Sequence, residues 1–143
     1  MSFTGEFRHT VDAKGRLTLP SRMRGALPGD KVVLTRWLEG CIAVWSPEAF
    51  EEMQASLRAQ GQGARAAREI TRWFNAGAHP DDVDKQGRIT IPPHLREFAS
   101  VDRDAVVIGS DNHAEIWDPA KWSEQQATVD DDRVAELAEQ LNF

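Results

Sequence analysis

Apolar and polar residues alternate over residues 7–11 and again over residues 16–20, on either side of an Asp-x-x-Gly segment. A period of two is typical of strands with one buried face. Gly15 can adopt a positive φ angle, and Asp12 can accept hydrogen bonds from nearby backbone N–H groups, so the intervening segment favours a tight turn. The pattern therefore predicts a β-hairpin.

The pattern after this hairpin predicts a short helix, two strands and a longer helix. Pro20 ends the second hairpin strand, and Ser21 is placed to cap a short helix that runs to about residue 26. Strands are expected at about residues 31–37 and 41–46. Pro47 then favours the first turn of a helix that ends near residue 60.

The same order of elements occurs twice, because the chain aligns with itself at a shift of 72 residues. Over positions 11–24 seven residues are identical and three are apolar-for-apolar replacements, whereas average composition gives roughly one chance identity in fifteen positions. The alignment matches Val11 to Pro20 with Val83 to Pro92, Arg24 with Arg96, Trp45 with Trp117, and Pro47 with Pro119. Two copies of one unit therefore account for nearly the whole chain.

We divide the chain into a first unit (1–60), a linking helix (61–74), a second unit (75–124) and a C-terminal helix (125–143). Gly61-Gln62-Gly63 interrupts the helical pattern before the linking helix, and Asp130 to Asp132 favour the N-terminus of the last helix. A unit of roughly 70 residues buries little apolar surface by itself. We therefore expect the two units to pack through a pseudo-twofold axis into one body.

Composition indicates a soluble globular chain. Of the 143 residues 41% are apolar and 28% are charged, and the mean hydropathy is −0.50. No apolar run approaches the roughly 20 residues that span a bilayer, and no secretory leader precedes Phe3. Cys41 is the single cysteine, so an intramolecular disulfide and a multi-cysteine zinc site are excluded. We expect a cytoplasmic protein.

The net charge of −6 conceals a marked asymmetry. Residues 1–75 contain 11 Lys and Arg against 8 Asp and Glu, whereas residues 76–143 contain 6 against 15. Salt screens charges beyond roughly 8 Å, so a phosphate-binding surface depends on local charge. The first half is the candidate for binding nucleic acid.

The first hairpin concentrates cations. Alternation directs Val11, Leu17 and Leu19 inward and the neighbouring side chains outward. A two-stranded ribbon fits the DNA major groove, where arginine can contact guanine O6 and N7. A simpler interpretation is that Arg16 pairs with Asp12 and that the other cations are solvated. The candidate DNA-contacting residues are Arg8, Lys14, Arg16, Arg22 and Arg24.

Comparison of the two copies favours a DNA contact by the first hairpin. The second hairpin keeps Asp84, Gly87 and Arg88 but has Gln86 in place of Lys14. The positions of Arg8 and Arg22 are taken by Pro80 and His94. The shared Asp, Gly and Arg therefore predict a common turn, and the extra cations indicate that the first copy binds DNA while the second has a structural or assembly role.

These motifs together resemble the MraZ family, duplicated relatives of AbrB-type swapped-hairpin DNA-binding domains. The resemblance covers the full chain and is carried by Phe3-Thr4-Gly5-Glu6, His9, Asp12-x-Lys14-Gly15-Arg16-Leu17, Pro20, Arg24, Asp84-x-x-Gly87-Arg88-Ile89 and Trp117-Asp118. It implies an α+β, mainly β fold in which two tandem units form a double-split β-barrel-like body with flanking helices.

The resemblance also implies a function. It implies a bacterial transcription regulator that binds short direct repeats in the promoter of the division and cell-wall gene cluster, as a ring-shaped homo-oligomer on the nucleoid. DNA contacts carry over to Lys14 and Arg16, and to Arg24 by similarity to AbrB-type domains. Arg8 lies one position from where those domains place a cation, and His9 occupies that place, so the choice between the two stays open.

Other classes of function have less support. Four scattered histidines and one cysteine do not indicate a metal site, and no catalytic constellation, cofactor motif or small-molecule site is found. The tryptophans favour core packing over base stacking. Three arginines form a basic stripe on one face of the linking helix, which is suited either to binding phosphate or to pairing with the acidic second half: Arg65, Arg68 and Arg72. The alternative function is an antitoxin-like protein-interaction module, because antitoxins share the AbrB-type hairpin.

Overall fold

A computed structural model describes residues 2–61 and 63–143 of the chain. The predicted break at residues 61–63 is therefore described only at its two glycines, because Gln62 lies outside the described residues. The strands are β1 (Glu6–Thr10), β2 (Arg16–Thr18), β3 (Lys31–Arg36), β4 (Ile42–Trp45), β5 (His79–Asp82), β6 (Arg88–Thr90), β7 (Asp104–Gly109) and β8 (Ala114–Trp117). The helices are α1 (Ser21–Arg24), α2 (Pro47–Ala59), α3 (Arg65–Gly77), α4 (Pro93–Ala99), α5 (Pro119–Thr128) and α6 (Asp131–Gln140).

The two units exchange strands. Six strands form an antiparallel sheet in the order β1-β7-β8-β4-β3-β5, and β2 pairs with β6 in a separate two-stranded ribbon. Strand β1 of the first unit thus pairs with β7 of the second, and β5 of the second unit pairs with β3 of the first. The six-stranded sheet ends at β1 and β5, so hydrogen bonds do not close it into a barrel.

The strand registers define the pseudo-twofold axis. Ala43 lies opposite Glu115 at the centre of the β4–β8 pair, and Leu17 lies opposite Ile89 at the centre of the ribbon. Val33 faces Trp45 in the first unit, and Val106 faces Trp117 in the second. Strands β3 and β7 are therefore related by 73 residues rather than 72, and the shorter connection between β7 and β8 restores the register.

The predicted hairpin forms only at its tip. The backbone N–H of Asp12 donates to the Arg16 carbonyl at 3.0 Å, and Val11 and Leu17 form an isolated bridge. Beyond this point β1 enters the large sheet and β2 enters the ribbon, each with a partner from the other unit. The expectation of two strands paired along their length is wrong, because exchange between units replaces that ladder.

One apolar core joins both units. Buried side chains of the large sheet, such as Leu34 and Ile116, pack against Leu17 and Ile89 of the ribbon. The opposite face of the large sheet is covered by helices, where Phe50 of α2 and Trp122 of α5 contact buried sheet residues. The helices contain more residues than the strands, so the fold is mixed rather than mainly β.

The tryptophans and the helix ends largely follow the sequence pattern. Trp45 and Trp117 are buried, which confirms their predicted core placement. Asp130 accepts a hydrogen bond from the Arg133 N–H at 2.8 Å and caps α6 as predicted. Ser21 does not cap α1, because Pro20 holds that position and the helix begins at Ser21. None of the helices in the described part of the chain is both long and apolar enough to cross a membrane.

Candidate nucleic-acid interface

The two-stranded ribbon brings both copies of the Asp-x-x-x-Arg motif onto one surface. Arg16 lies opposite Thr90, and Thr18 lies opposite Arg88. Directly opposed residues and residues two apart share a face of a sheet. Leu17 between them is buried, so Arg16 and Arg88 lie together on the outer face of the ribbon.

Asp12 fixes the first turn and the side chain of Arg16. Its Oδ1 atom accepts hydrogen bonds from the backbone N–H groups of Lys14 at 3.0 Å and Arg16 at 2.8 Å. Its Oδ2 atom accepts from Arg16 Nε at 2.7 Å. The pKa of Asp12 is lowered, chiefly by the backbone hydrogen bond from Arg16. The motif therefore holds an anionic carboxylate that positions the arginine.

The guanidinium of Arg16 keeps its outer edge available. Asp12 engages only Nε, and within the described residues the two terminal nitrogens of Arg16 have no hydrogen-bond partner. The side chain is one-third exposed. Terminal guanidinium nitrogens form the planar fork that matches guanine O6 and N7 or two phosphate oxygens. Asp12 thus reduces the entropy that Arg16 would lose on binding DNA.

The second turn repeats this geometry. Asp84 accepts from the backbone N–H groups of Gln86 and Arg88 at 2.9 and 2.8 Å, and from Arg88 Nε at 2.9 Å. The pKa of Asp84 is lowered by the same principal cause, the backbone hydrogen bond from Arg88. Lys14 is exposed at the first tip, and Lys85 is exposed one position earlier at the second tip. The second turn therefore retains a cation that the position-by-position comparison missed.

Arg24 and Arg96 cross between the units. A Cβ atom placed on Gly87 would lie 2.8 Å from Nη1 of Arg24, so the guanidinium of Arg24 rests on the second turn. A Cβ atom placed on Gly15 would lie 3.2 Å from Cζ of Arg96. The sequence places Arg24 in the short helix after the first hairpin, but the arginine whose guanidinium lies beside the first turn is Arg96. The alignment of the chain with itself at a shift of 72 residues matches Arg24 with Arg96. The exchange of strands between the units then explains why Arg96 lies beside the first turn and Arg24 beside the second.

The surroundings of Arg8 and Arg22 belong to β1 of the large sheet rather than to the ribbon. Arg8 is opposite Val106, which packs on the helix-covered face of the large sheet, and it lines a cleft with Asp104 and Pro119. Arg22 places its Cζ atom 5.6 Å from the centroid of the Phe7 ring, which is a cation–π contact.

His9 differs from Arg8 in the direction it faces. It alternates with Arg8 and shares the Phe7 side of β1, toward the core. The equivalent residue in the second unit is Asp81, which accepts a hydrogen bond from the Thr90 N–H at 2.8 Å. Of the two neighbours, His9 is therefore on the core side of β1, although it also lines the cleft formed by Arg8, Asp104 and Pro119.

The remaining candidate groups have other surroundings. His113 is buried between Trp37 and Trp45, and its Nε2 atom lies 2.8 Å from Glu115 Oε2. Arg65 pairs with Glu69 of its own helix. Among the residues that the structure describes, no cluster of three or more His, Cys, Asp or Glu side chains could hold a metal ion.

Comparison with known proteins identifies the family. A family model described as "MraZ protein, putative antitoxin-like" matches the chain twice, over residues 2–73 and 74–142. A protein of Thermoanaerobacter pseudethanolicus named "Transcriptional regulator MraZ" is 41% identical over 141 residues, covering 97% of this chain and 98% of its own. Proteins with the same name from Symbiobacterium thermophilum (39% over 139 residues, 97% and 99% coverage) and Salinispora arenicola (45% over 130 residues, 91% of each chain) are also similar.

Proposed function

The chain belongs to the MraZ family, and we propose that it regulates bacterial transcription by binding double-stranded DNA through the outer face of the β2–β6 ribbon. The similar proteins carry the name of a transcriptional regulator, and the family is one of regulators rather than enzymes.

The observation that supports this proposal best is the state of Arg16. It lies on the exposed face of a ribbon, is positioned by Asp12 through Nε, and presents two terminal nitrogens without protein partners among the described residues. In this turn the carboxylate of Asp12 accepts three hydrogen bonds. An ordinary solvated ion pair between Asp12 and Arg16 would not require this arrangement. The arrangement fits a side chain that is positioned in advance for base edges or phosphates.

The operator is proposed to consist of short direct repeats in the promoter of the division and cell-wall gene cluster, which includes the gene for this protein. Each ribbon offers few contacts, so one chain alone would bind weakly. Several identical ribbons in one assembly raise the effective affinity without new contacts, provided that the spacing of the repeats matches the spacing of the ribbons. We expect the protein on the nucleoid, where such promoters lie.

Self-association as a ring is proposed for the same reason, and exposed apolar surface supports it. No residue of α6 is buried, and Val134, Leu141 and the following Phe143 are exposed. An apolar groove of about 310 Å³ lies between α2 and α3, with Leu38, Ile70 and Trp73 in its wall. Large exposed apolar patches mark protein interfaces.

We also retain the double-split barrel-like description as a proposal, supported by the strand exchange and the core shared by both sheets.

A mobility-shift titration tests the function. The probe is a duplex of the region upstream of the gene, and a scrambled duplex of equal length is the competitor. Wild-type protein should shift the upstream duplex preferentially, and its affinity should fall steeply between about 50 mM and about 200 mM salt. Arg16→Ala should lose the shift while keeping its fold and assembly size. Equal affinity for the scrambled duplex, or no effect of Arg16→Ala, would contradict the proposal and favour the antitoxin-like alternative.

A further inference from the structure

Two arginines in this fold lack the partners that the other motif arginines have. Arg16 and Arg88 each form an ion pair with the aspartate of their own turn. The side chains of Arg24 and Arg96 form neither an ion pair nor a hydrogen bond within the described residues, and the Nε atom of each is buried. A buried polar atom without a partner costs roughly 1–3 kcal/mol of stability. The buried Nε atoms cannot reach a ligand themselves, but the terminal nitrogens of the same two guanidinium groups are not among the buried unpartnered atoms. Retaining the cost twice, at equivalent positions, indicates that these groups bind a ligand through their terminal nitrogens.

The place of Arg96 suggests what that ligand is. The guanidinium group of Arg96 packs on Gly15, which is the residue between Lys14 and Arg16 in the first turn. A Cβ atom at Gly15 would lie 3.3 Å from Nε of Arg96. Gly15 has a φ angle of 83°, and its lack of a side chain lets the guanidinium approach the backbone. Three cations from two units therefore surround one turn that carries the single carboxylate of Asp12. This local excess of positive charge fits an anion.

We propose that Arg96 binds a backbone phosphate of the DNA that the first turn contacts, so that this binding site is built from both units. This inference rests on the proposed function of the ribbon. Arg16 lies on the outer face of the ribbon, and Arg96 lies beside Gly15 in the adjoining turn. By the pseudo-twofold symmetry, Arg24 plays the same part at the second turn over Gly87.

A phosphate role differs from a bracing role in its salt dependence. Each neutralised phosphate adds about 0.9 to the slope of log affinity against log salt concentration for duplex DNA. A side chain that only supports the turn changes affinity without changing this slope. The slope is therefore the readout that separates the two roles.

The experiment uses the full chain and measures binding to the upstream duplex by fluorescence anisotropy over a series of salt concentrations. Arg96→Gln is compared with wild type, with Arg96→Lys, and with Arg58→Gln. The last variant makes the same change of charge on α2, where Arg58 is exposed and pairs with Glu51. Arg96→Gln should lower the slope by about 0.9 for each chain that engages the DNA, Arg96→Lys should restore most of it, and Arg58→Gln should leave it unchanged.

Two other outcomes have distinct meanings. If Arg96→Gln keeps the wild-type slope while Arg16→Ala abolishes binding, the phosphate role of Arg96 is wrong and the proposed function stands. If wild-type protein fails to prefer the upstream duplex, the proposed function itself fails. Should Arg96→Gln unfold, as judged by circular dichroism, Arg96→Met is measured in its place, since it keeps a long side chain without the charge. It should lower the slope by the same amount of about 0.9 per chain, and a wild-type slope would contradict the phosphate role.

Discussion

Leu17 lies directly opposite Ile89 in the ribbon, and both side chains are buried in the common core. Their pairing places the pseudo-twofold axis between the two arginines of the Asp-x-x-x-Arg motifs. The two motifs, 72 residues apart in the chain, therefore form one surface.

Arg88→Ala is expected to weaken binding to the upstream duplex, because Arg88 shares the outer face of the ribbon with Arg16. Loss of an arginine that contacts a base costs about 1–3 kcal/mol of binding free energy. We expect the larger loss for Arg16→Ala, since the lysine of the first turn, Lys14, lies two positions from Arg16, whereas Lys85 of the second turn lies three positions from Arg88. Anisotropy titrations of both variants at one salt concentration give the order. A larger loss for Arg88→Ala would reverse the roles assigned to the two turns.

Gly15→Ala is expected to destabilise the fold by more than about 1 kcal/mol, since a left-handed backbone conformation is strained for any residue with a side chain. The new Cβ atom would also lie 2.8 Å from the Ile91 carbonyl oxygen, a backbone atom that cannot move aside easily. Gly29→Ala is the matched control, because Gly29 has a φ angle of 73° but no atom within 4 Å of the added Cβ. The difference between the losses of unfolding free energy of the two variants, measured with urea, gives the contribution of the steric clash at Gly15. Equal losses of stability would show that Arg96 and Ile91 do not enclose Gly15.

Acidification is expected to destabilise the protein through Glu115. Burial is the largest influence and acts to raise the pKa of this carboxyl, but hydrogen bonds from His113 and Trp117, together with the charge of His113, outweigh it. The net pKa lies below the ordinary value of 4.5. The ionised group therefore stabilises the fold above about pH 4.5, and this contribution is lost as the pH falls through the lowered pKa.

Glu115→Gln should flatten this part of the pH profile. Urea unfolding between about pH 3 and about pH 6, followed by tryptophan fluorescence, is a direct measure because Trp37 and Trp45 pack on His113. Asp12 and Asp84 also have lowered pKa values, so the difference between wild type and the variant is the quantity to examine. Parallel profiles for the two proteins would exclude a contribution from Glu115.

Leu141→Glu is expected to reduce the size of the assembly, since Leu141 directly follows α6, in which no residue is buried, and is itself exposed. A charge in an apolar interface leaves a desolvated carboxylate without a partner. Gln140→Glu adds the same charge at the neighbouring position and should leave the assembly unchanged. Light scattering coupled to size-exclusion chromatography reports the mass of each. An unchanged mass for Leu141→Glu would place the interface elsewhere.

Local sequence pattern predicted the repeat and the turn. Asp12, Gly15 and Arg16 recur as Asp84, Gly87 and Arg88, and each set forms the same hydrogen bonds. These contacts span four residues or fewer, so their geometry follows from the identity of neighbouring residues.

The pairing of strands and the placement of Arg24 could not be read in this way. Alternation shows that β1 has an inner and an outer face, but it does not show that the partner is β7, about 100 residues away in sequence. In sequence Arg24 belongs to the short helix that follows the first turn, but its guanidinium lies on Gly87 of the second turn. A non-local exchange of this kind depends on which pairing buries most apolar surface, which no single segment encodes.

The strand exchange also bears on how such a chain arose and folds. A lone unit would leave β1 and β2 without the strands they pair with, and β3 and β4 would keep only each other. Such a unit would fold only by pairing with a second molecule, and its stability would depend on protein concentration. Tandem fusion makes that encounter intramolecular. Within one chain the two halves need not match each other, and the two tips do differ at Lys14 and Gln86, while the ribbon between them is symmetric.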